Sequence, residues 1–413
     1  MGGDRSDAGQ FDPPAGGALR LDAARWRARP GVARILDALG ADEGLTRYVG
    51  GAVRDELLGL AVNDIDFATR LRPEEVVRRL GLAHIKSVPT GIAHGTITAV
   101  ADGQPAEITT LRADVSTDGR RATVEFSDNW RGDAERRDFT INALYADPET
   151  GEIFDYVGGL DDLAQRCVRF IGDPLQRIAE DHLRILRFFR FHARFGQGDP
   201  DAQALDACTI RANDLMALSR ERIADEMLKI LGLPDPVATV ALMIARDIVA
   251  PVLPEITGAA RLAALVGNEA AARVAPDSIR RLAALLPPDP AIADKVAARL
   301  KLSKKARKRL AAAADPDLSA NPRALAYWVG AETAIDRLLL AGRAGAAAAI
   351  GDWPVPRLPI SGGKLIKLGL VEGPTVATAL KAIDRRWVDT GFPDGADFDR
   401  LVAEEVARHG GRK

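Results

Sequence analysis

The sequence predicts an α+β protein in which a mixed N-terminal domain is followed by an elongated helical region. Three observations carry this expectation. Ala, Leu and Arg are abundant while aromatic residues are only 5% of the 413, a composition that favours helix. Runs rich in Val, Ile and Thr, separated by Gly and Pro, lie before Ala113, as strands require. From Asp133 onward, helical segments broken by stretches such as LLPPDP dominate. A chain of this length exceeds what one core usually holds, so two or more domains are expected.

The elements follow in order. MGGDRSDAGQFDPPAGG is polar and rich in Gly and Pro, without the apolar core of a signal peptide. Residues 1–24 are therefore expected to be a disordered leader on a cytoplasmic protein. No apolar run is long enough to cross a bilayer. ARWRARPGVARILDALG predicts a short helix ending at Gly40. TRYVGG reads as a strand entering a glycine turn, ELLGLA as a helical turn, and NDIDFAT as extended. PEEVVRRLG is a helix, and HIKSVPTGIAHGTITAVADGQPAEITTLR holds several strands. Ala113–Asp133 is charged and poor in aliphatics, which predicts a long, partly mobile loop. IGDPLQRIAEDHLRILRFFRFHARFG predicts a helix with Asp173 as N-cap, Pro174 in its first turn and Gly196 at its end. RERIADEMLKIL gives another helix.

Cys167 and Cys208 fit neither a disulfide framework nor a zinc spacing, and both are expected to be buried small hydrophobes. The net charge of −2 argues against a generally basic, non-specific nucleic-acid binder. Any nucleic-acid contact must rest on a local cluster, and RLKLSKKARKRL, Arg299–Leu310, carries seven cationic residues and no acidic one. Lys304, Lys305, Arg307 and Lys308 are the candidates to follow phosphates, although such a helix is more often a solvated face.

The chemistry concentrates in GGAVRDELLGLAVNDIDFAT. Asp64 and Asp66, two apart on an extended segment, share a face. Carboxylates that close repel unless a hard cation sits between them. Mg²⁺ suits one or two carboxylates completed by phosphate oxygens and water. Gly50 and Gly51 let backbone approach a bulky anion, and Arg54 can fork phosphate oxygens. A turn that feeds a helix also offers free N–H groups to phosphate. Either DxD or GG alone is a common surface turn; together, at a strand-turn-helix junction, they describe a metal and nucleoside-triphosphate site. Glu107, on a strand downstream, is either a third catalytic carboxylate, which completes a two-metal cluster or activates the attacking hydroxyl, or an ordinary strand-face charge.

EDHLRILRFFRF places Asp181, Arg184, Arg187 and Arg190 at every third residue, a row that drifts slowly around a helix. The bland alternative is a solvated face of Asp–Arg pairs. Ile185, Leu186, Phe188, Phe189 and Phe191 make the rest of the circumference apolar, so these arginines need nearby anions. A carboxylate beside a guanidinium matches the exocyclic amine and ring nitrogen shared by cytosine and adenine, a pattern reversed in guanine and uracil. Asp181 with Arg184 is therefore the candidate base reader, with Arg187 and Arg190 bracing it or holding phosphate. In RRDFTINAL, Arg137 is placed to hold triphosphate or ribose, Asp138 to orient an arginine, and Asn142 to cap or to contact sugar.

These segments, with FDYVGGLDDLAQRCVRFIGDP and LSRERIADEMLKIL, resemble in order the motifs of the class II tRNA nucleotidyltransferase/poly(A) polymerase family, in the DNA polymerase beta nucleotidyltransferase superfamily. The resemblance spans Tyr48 to about Leu231, more weakly continued by LPISGGKLIKLGLVEGPTVATALKAIDRRWVDTG, where family members often have Asp in place of Lys364. It implies a nucleotidyltransferase head (25–155) with a mixed β-sheet, then a helical neck (156–232), body (233–310) and tail (311–413). It implies Mg²⁺ on Asp64 and Asp66, Glu107 as the third carboxylate, and nucleotide bound by Gly50, Gly51, Arg54, Arg137, Asp138, Asn142, Asp181, Arg184, Arg187 and Arg190. The implied reaction adds C, C and A from CTP and ATP to the 3′ end of tRNA, with no obligate protein partner. PTGIAHGTITA resembles the CCA-adding type. An A-adding partial enzyme or a poly(A) polymerase are the enzyme alternatives. A non-catalytic RNA binder is opposed by the Asp64–Asp66 pair, which without a metal would only repel RNA.

Overall fold

The computed structural model describes residues 19–62, 64–91, 95–118, 121–318 and 321–410. Nine strands lie among them: β1 Thr46–Val49, β2 Phe67–Thr69, β3 Lys86–Gly91, β4 Thr96–Ala101, β5 Gln104–Thr110, β6 Arg112–Asp118, β7 Arg121–Phe126, β8 Leu144–Ala146 and β9 Ile153–Asp155. Seven form one sheet in the order β3-β4-β5-β2-β1-β8-β9, and β6 pairs with β7 separately. Only β2 and β5 run parallel within the described pairings; the rest are antiparallel neighbours, which makes the sheet mixed.

Register assigns the two faces. Thr46, Tyr48, Phe67, Ile97 and Ile108 are buried on one, where the Tyr48 ring meets Trp26 at 4.8 Å and Phe67 at 5.7 Å. Arg47, Ala68, Thr109 and Thr96 form a row across the other. Glu107 points to that same side because strand side chains alternate. Val49 and Ala68 also pack there, against Trp130 and Tyr145.

The chain divides into two compact units, one running to Glu226 and including Ala245–Val252, the other formed by Met227–Ile244 with the chain from Leu253 onward. The residues expected as head, and most of those expected as neck, thus form a single compact unit. In the second unit every described element is helical. Its interior holds Arg280 and Arg281 against Glu269 and Asp336, all buried, with Arg280 at 2.8 Å from Asp336 and 2.7 Å from Glu269. Arg281 also donates to the carbonyls of Leu231, Leu233 and Pro234. Near the C-terminus, Trp387 and Phe398 lie in an apolar core with Tyr327 and Phe392 against it.

Several expectations are corrected. The leader's last part belongs to the fold: Arg20 bridges to Glu152, and Leu21 and Ala23 are buried; residues 1–18 lie outside those described. The helix expected to end at Gly40 is two helices, Ala23–Arg27 and Val32–Ala38. They part at Pro30-Gly31, where Gly31 has φ +76° and a Cβ would stand 2.6 Å from Ala101, a space only glycine fits. The loop expected over Ala113–Asp133 is instead the β6–β7 hairpin followed by the start of helix Trp130–Glu135. The helix opened by Asp173 stops at Glu180, and a second runs Arg184–Phe195. Cys208 is buried as expected, but Cys167 is partly exposed.

Candidate active site

β1 delivers the chain into Gly50, whose φ of +72° is available to glycine at little cost, and Gly51 begins the helix Gly51–Leu57. The Gly50 N–H donates to the Leu144 carbonyl of the adjacent β8 at 2.9 Å, so sheet pairing fixes the turn. Asp64 and Asp66 precede β2 on the other side of β1. Asp64 is exposed and Asp66 half-buried. Burial, reinforced by the charges of Glu107 and Asp64 and opposed by Arg137, pushes the Asp66 carboxyl up to about 6. Asp66 therefore feels the negative charge of both other predicted carboxylates, the condition that a cation relieves. Among the described residues no three His, Cys, Asp or Glu side chains gather closely enough to cage a metal by themselves. Two carboxylates, Asp64 and Asp66, are oxygen donors of the kind a hard cation takes together with oxygens from substrate and water.

Arg54 is placed differently from the expectation. Its side chain is buried, and burial lowers its pKa to about 10. Nε and Nη2 both donate to Asp55 Oδ1, at 2.8 and 2.6 Å, and Nη1 donates to Asn142 Oδ1. The Phe195 ring lies 3.9 Å from its Cζ. In this structure the Arg54 guanidinium is thus engaged by Asp55 and Asn142 beside the glycine turn.

Arg137, at the end of helix Trp130–Glu135, faces the turn. Its Nη1 lies 3.6 Å from where a Cβ on Gly50 would stand. Nη2 donates to Asp133 Oδ2 at 3.1 Å and Nε to Tyr145 Oη at 3.1 Å, while the Tyr145 hydroxyl donates to the same Asp133 oxygen at 2.8 Å. Despite the burial that opposes ionisation, this cage raises the Arg137 pKa. Asp138 is saturated: Oδ2 accepts from Arg187 Nε at 2.8 Å and Nη2 at 2.5 Å, and Oδ1 from the Phe139 N–H and Asn142 Nδ2. Burial alone would raise its pKa, but Arg187 and Asn142 hold the carboxyl below the usual range. Asn142 thus joins Arg54 to Asp138, and Asp138 aligns Arg187.

Asp181 sits at the break between helices Pro174–Glu180 and Arg184–Phe195, with φ −149° and ψ 104°. It is therefore off the helical row on which sequence periodicity placed it. Its Oδ1 accepts from the Leu183 N–H, and both oxygens accept from Arg222 Nη2, at 3.1 and 2.8 Å. Arg184 pairs with Glu180 at 2.6 Å and donates to the Arg177 carbonyl. Asp181 and Arg184 are thus each held by another partner, yet both line the same cleft. Arg190 is a brace, 2.6 Å from Glu226.

Thr96, Glu107, Thr109, Arg112, Asp133, Arg136, Arg137, Asp138, Asp181, Arg184 and Arg187 line that cleft, of about 330 Å³. Sequence reading missed Arg177, Glu180, Arg222 and Glu226. Arg222 and Glu226 carried a signal, an i,i+4 spacing on one helix face in RERIADEMLKIL. On the second unit, Lys304, Lys305 and Lys308 are exposed on helix Lys304–Ala313. Arg307 is not available in the same way: it pairs with both oxygens of Asp294 at 2.6 Å.

Residues 46–169 match the family model described as poly A polymerase head domain, and residues 200–259 the one described as probable RNA and SrmB-binding site of polymerase A. The chain is 35% identical over 383 residues to CCA tRNA nucleotidyltransferase 1, mitochondrial, of Mus musculus, covering 88% of this chain and 87% of that one. A CCA-adding enzyme of Streptococcus gordonii is 42% identical over 189 residues, 45% of this chain and 46% of its own length. The crystal structure of the Bacillus stearothermophilus CCA-adding enzyme in complex with CTP is similar with a TM-score of 0.70 at 26% identity, covering 91% of this chain and 98% of that one. The Thermotoga maritima CCA-adding enzyme complexed with tRNA shares the fold, with a TM-score of 0.67 at 20% identity over 94% of this chain and 96% of that one.

Proposed function

The chain belongs to the tRNA nucleotidyltransferase and poly(A) polymerase family, and from that premise we propose that it adds C, C and A from CTP and ATP to the 3′ end of tRNA, without a nucleic-acid template. The observation that carries this reading is the cleft itself: Glu107 on its sheet wall, with Asp181, Arg184 and the Asp138-aligned Arg187 also lining it. Bound at Asp64 and Asp66, a divalent cation, Mg²⁺ in this reading, supplies charge neutralisation for the triphosphate and the departing pyrophosphate.

Arg137, held by Asp133 and Tyr145, presents Nη1 toward the glycine turn and so toward the phosphates. Glu107 accepts the proton of the RNA 3′-hydroxyl as its oxygen bonds to the α-phosphorus and the bond to pyrophosphate breaks. Asp181 accepts from the exocyclic amine of cytosine or adenine and Arg184 donates to the ring nitrogen. To do so, each exchanges part of its present pairing, with Arg222 and Glu180 respectively. A backbone that fixes these side chains before the nucleotide arrives reduces the ordering cost of selection. Lys304, Lys305 and Lys308 are assigned to tRNA phosphates, and Lys364 to tail packing or tRNA contact.

No described helix is long and apolar enough to cross a membrane. A cytoplasmic setting belongs to the same proposal, while the mouse relative is named as mitochondrial. The test offers purified protein a tRNA lacking CCA, a tRNA ending in CC, and an unstructured oligonucleotide, each with CTP, ATP or both and Mg²⁺. Three nucleotides added to the first RNA, followed by a stop, are expected. Addition to the CC-ended tRNA alone would make it an A-adding enzyme, and long A tails on the oligonucleotide a poly(A) polymerase.

A further inference from the structure

In the cleft, one guanidinium that acts on Asp133 only through its charge has two nitrogens without an acceptor among the described residues. Arg137 is held by Asp133, Arg187 by Asp138 and Arg184 by Glu180. Arg136 lines the same cleft, yet among the described residues its Nε and Nη1 are buried and meet no acceptor. A buried charged donor without an acceptor is costly. Such a side chain marks a position that an anion from outside completes. Its backbone is not free to turn away, because the Arg136 carbonyl accepts from Arg177.

The neighbouring residues indicate which anion. Arg137 Nη1 and the glycine turn serve the incoming triphosphate, and Asp181 with Arg184 serve its base. The part of the lining that these leave unassigned is the sheet wall. There Thr96 stands opposite Thr109, Glu107 lies two residues along the same face, and Arg112 begins β6. This wall holds the carboxylate assigned to the RNA hydroxyl. We propose that Arg136 binds the last phosphodiester of the RNA acceptor and so places the 3′-hydroxyl beside Glu107. This rests on the reaction proposed above. Arg136 is then a positioning residue for the acceptor, distinct from the arginines that hold the nucleotide.

The experiment is a binding cycle that does not depend on turnover. A tRNA ending in CC, and the same tRNA with a neutral methylphosphonate in place of its last phosphodiester, are titrated against wild type and R136Q. Either change alone is expected to weaken binding roughly tenfold, and the two together no more than one. R136Q should also flatten the salt dependence by about 0.7 in log–log slope. In steady state, the KM for tRNA should rise while the KM for ATP stays put, and R136K should recover part of the loss. Multiplying effects of the two changes, or a rise in the KM for ATP instead, would overturn the assignment; the latter would give Arg136 to the triphosphate. Thermal unfolding checks that R136Q folds, and if it does not, R136K carries the same cycle. A wild type that binds tRNA but adds nothing would defeat the proposed reaction while leaving this cycle readable.

Discussion

Two regions of the molecule bury arginine beside carboxylate, to opposite effect. In the helical unit, Arg280, Arg281, Glu269 and Asp336 are buried and satisfy one another. Arg309 adds contacts to Asp277 and Asp336. In the cleft, the pairs are partly open: Asp181 is shared with an exposed Arg222, Glu107 is exposed, and Arg136 lacks an acceptor at two of its nitrogens. A closed set of charges holds helices in register but offers a ligand nothing. An incomplete set costs stability that a ligand's own charges return. The difference separates charge used as structure from charge used as function.

That contrast can be broken from either side. The largest effect is expected from Asp64→Ala or Asp66→Ala. Nucleotide incorporation should fall on the order of a thousandfold or more. The unfolding midpoint should stay level or rise, since removing one carboxylate relieves repulsion around Asp66. A lowered midpoint would make the carboxylates structural.

The helical unit should respond the other way. Glu269→Ala removes the buried carboxylate that Arg280 and Arg281 share and is expected to cost about 3–5 kcal/mol in denaturant unfolding. An unchanged midpoint would dissolve the comparison.

Next, Asp138→Asn keeps the shape but withdraws the charge that aligns Arg187. A loss of about 2 kcal/mol in kcat/KM for nucleotide is expected, with little change in tRNA binding. Smallest is the base reader. Asp181→Ala should narrow discrimination of CTP over UTP by about 1–3 kcal/mol, measured as a ratio of kcat/KM. Unaltered selectivity would remove Asp181 from that role.

How much of this was legible in the sequence follows from how local each feature is. The glycine turn, the Asp64–Asp66 pair and the strand carrying Glu107 are set by neighbours in sequence, and motif and period revealed them. The orientation of Arg54 was not, because a guanidinium after Ala52 and Val53 looks free until Asn142 and Phe195 close over it from distant positions. The break at Asp181 was hidden for a related reason. EDHLR has good helix formers, but the Asp181 carboxylate bonds its own downstream Leu183 N–H and is gripped by Arg222 from another helix. Local side-chain bonding of that kind competes with helix. The β6–β7 hairpin had a signal, β-branched residues on either side of Gly119 in the sequence, that the density of charge obscured.

Arg177 ties two parts of the first unit together. Its guanidinium donates to the carbonyls of both Arg136 and Arg137, at 2.6 Å for the latter, while also pairing with Glu180. One side chain from the helix that precedes Asp181 thereby clasps the main chain of the segment that carries Arg136 and Arg137. Chimaeras that exchange the sheet-bearing segment of one relative for that of another, cut anywhere between Arg137 and Arg177, would transplant one half of this clasp without the other. Because the acceptors are carbonyls, which every residue carries, the clasp survives sequence divergence on one side and fails only with loss of the arginine on the other. Segment swaps aimed at new nucleotide preferences should therefore keep Arg177 and vary around it.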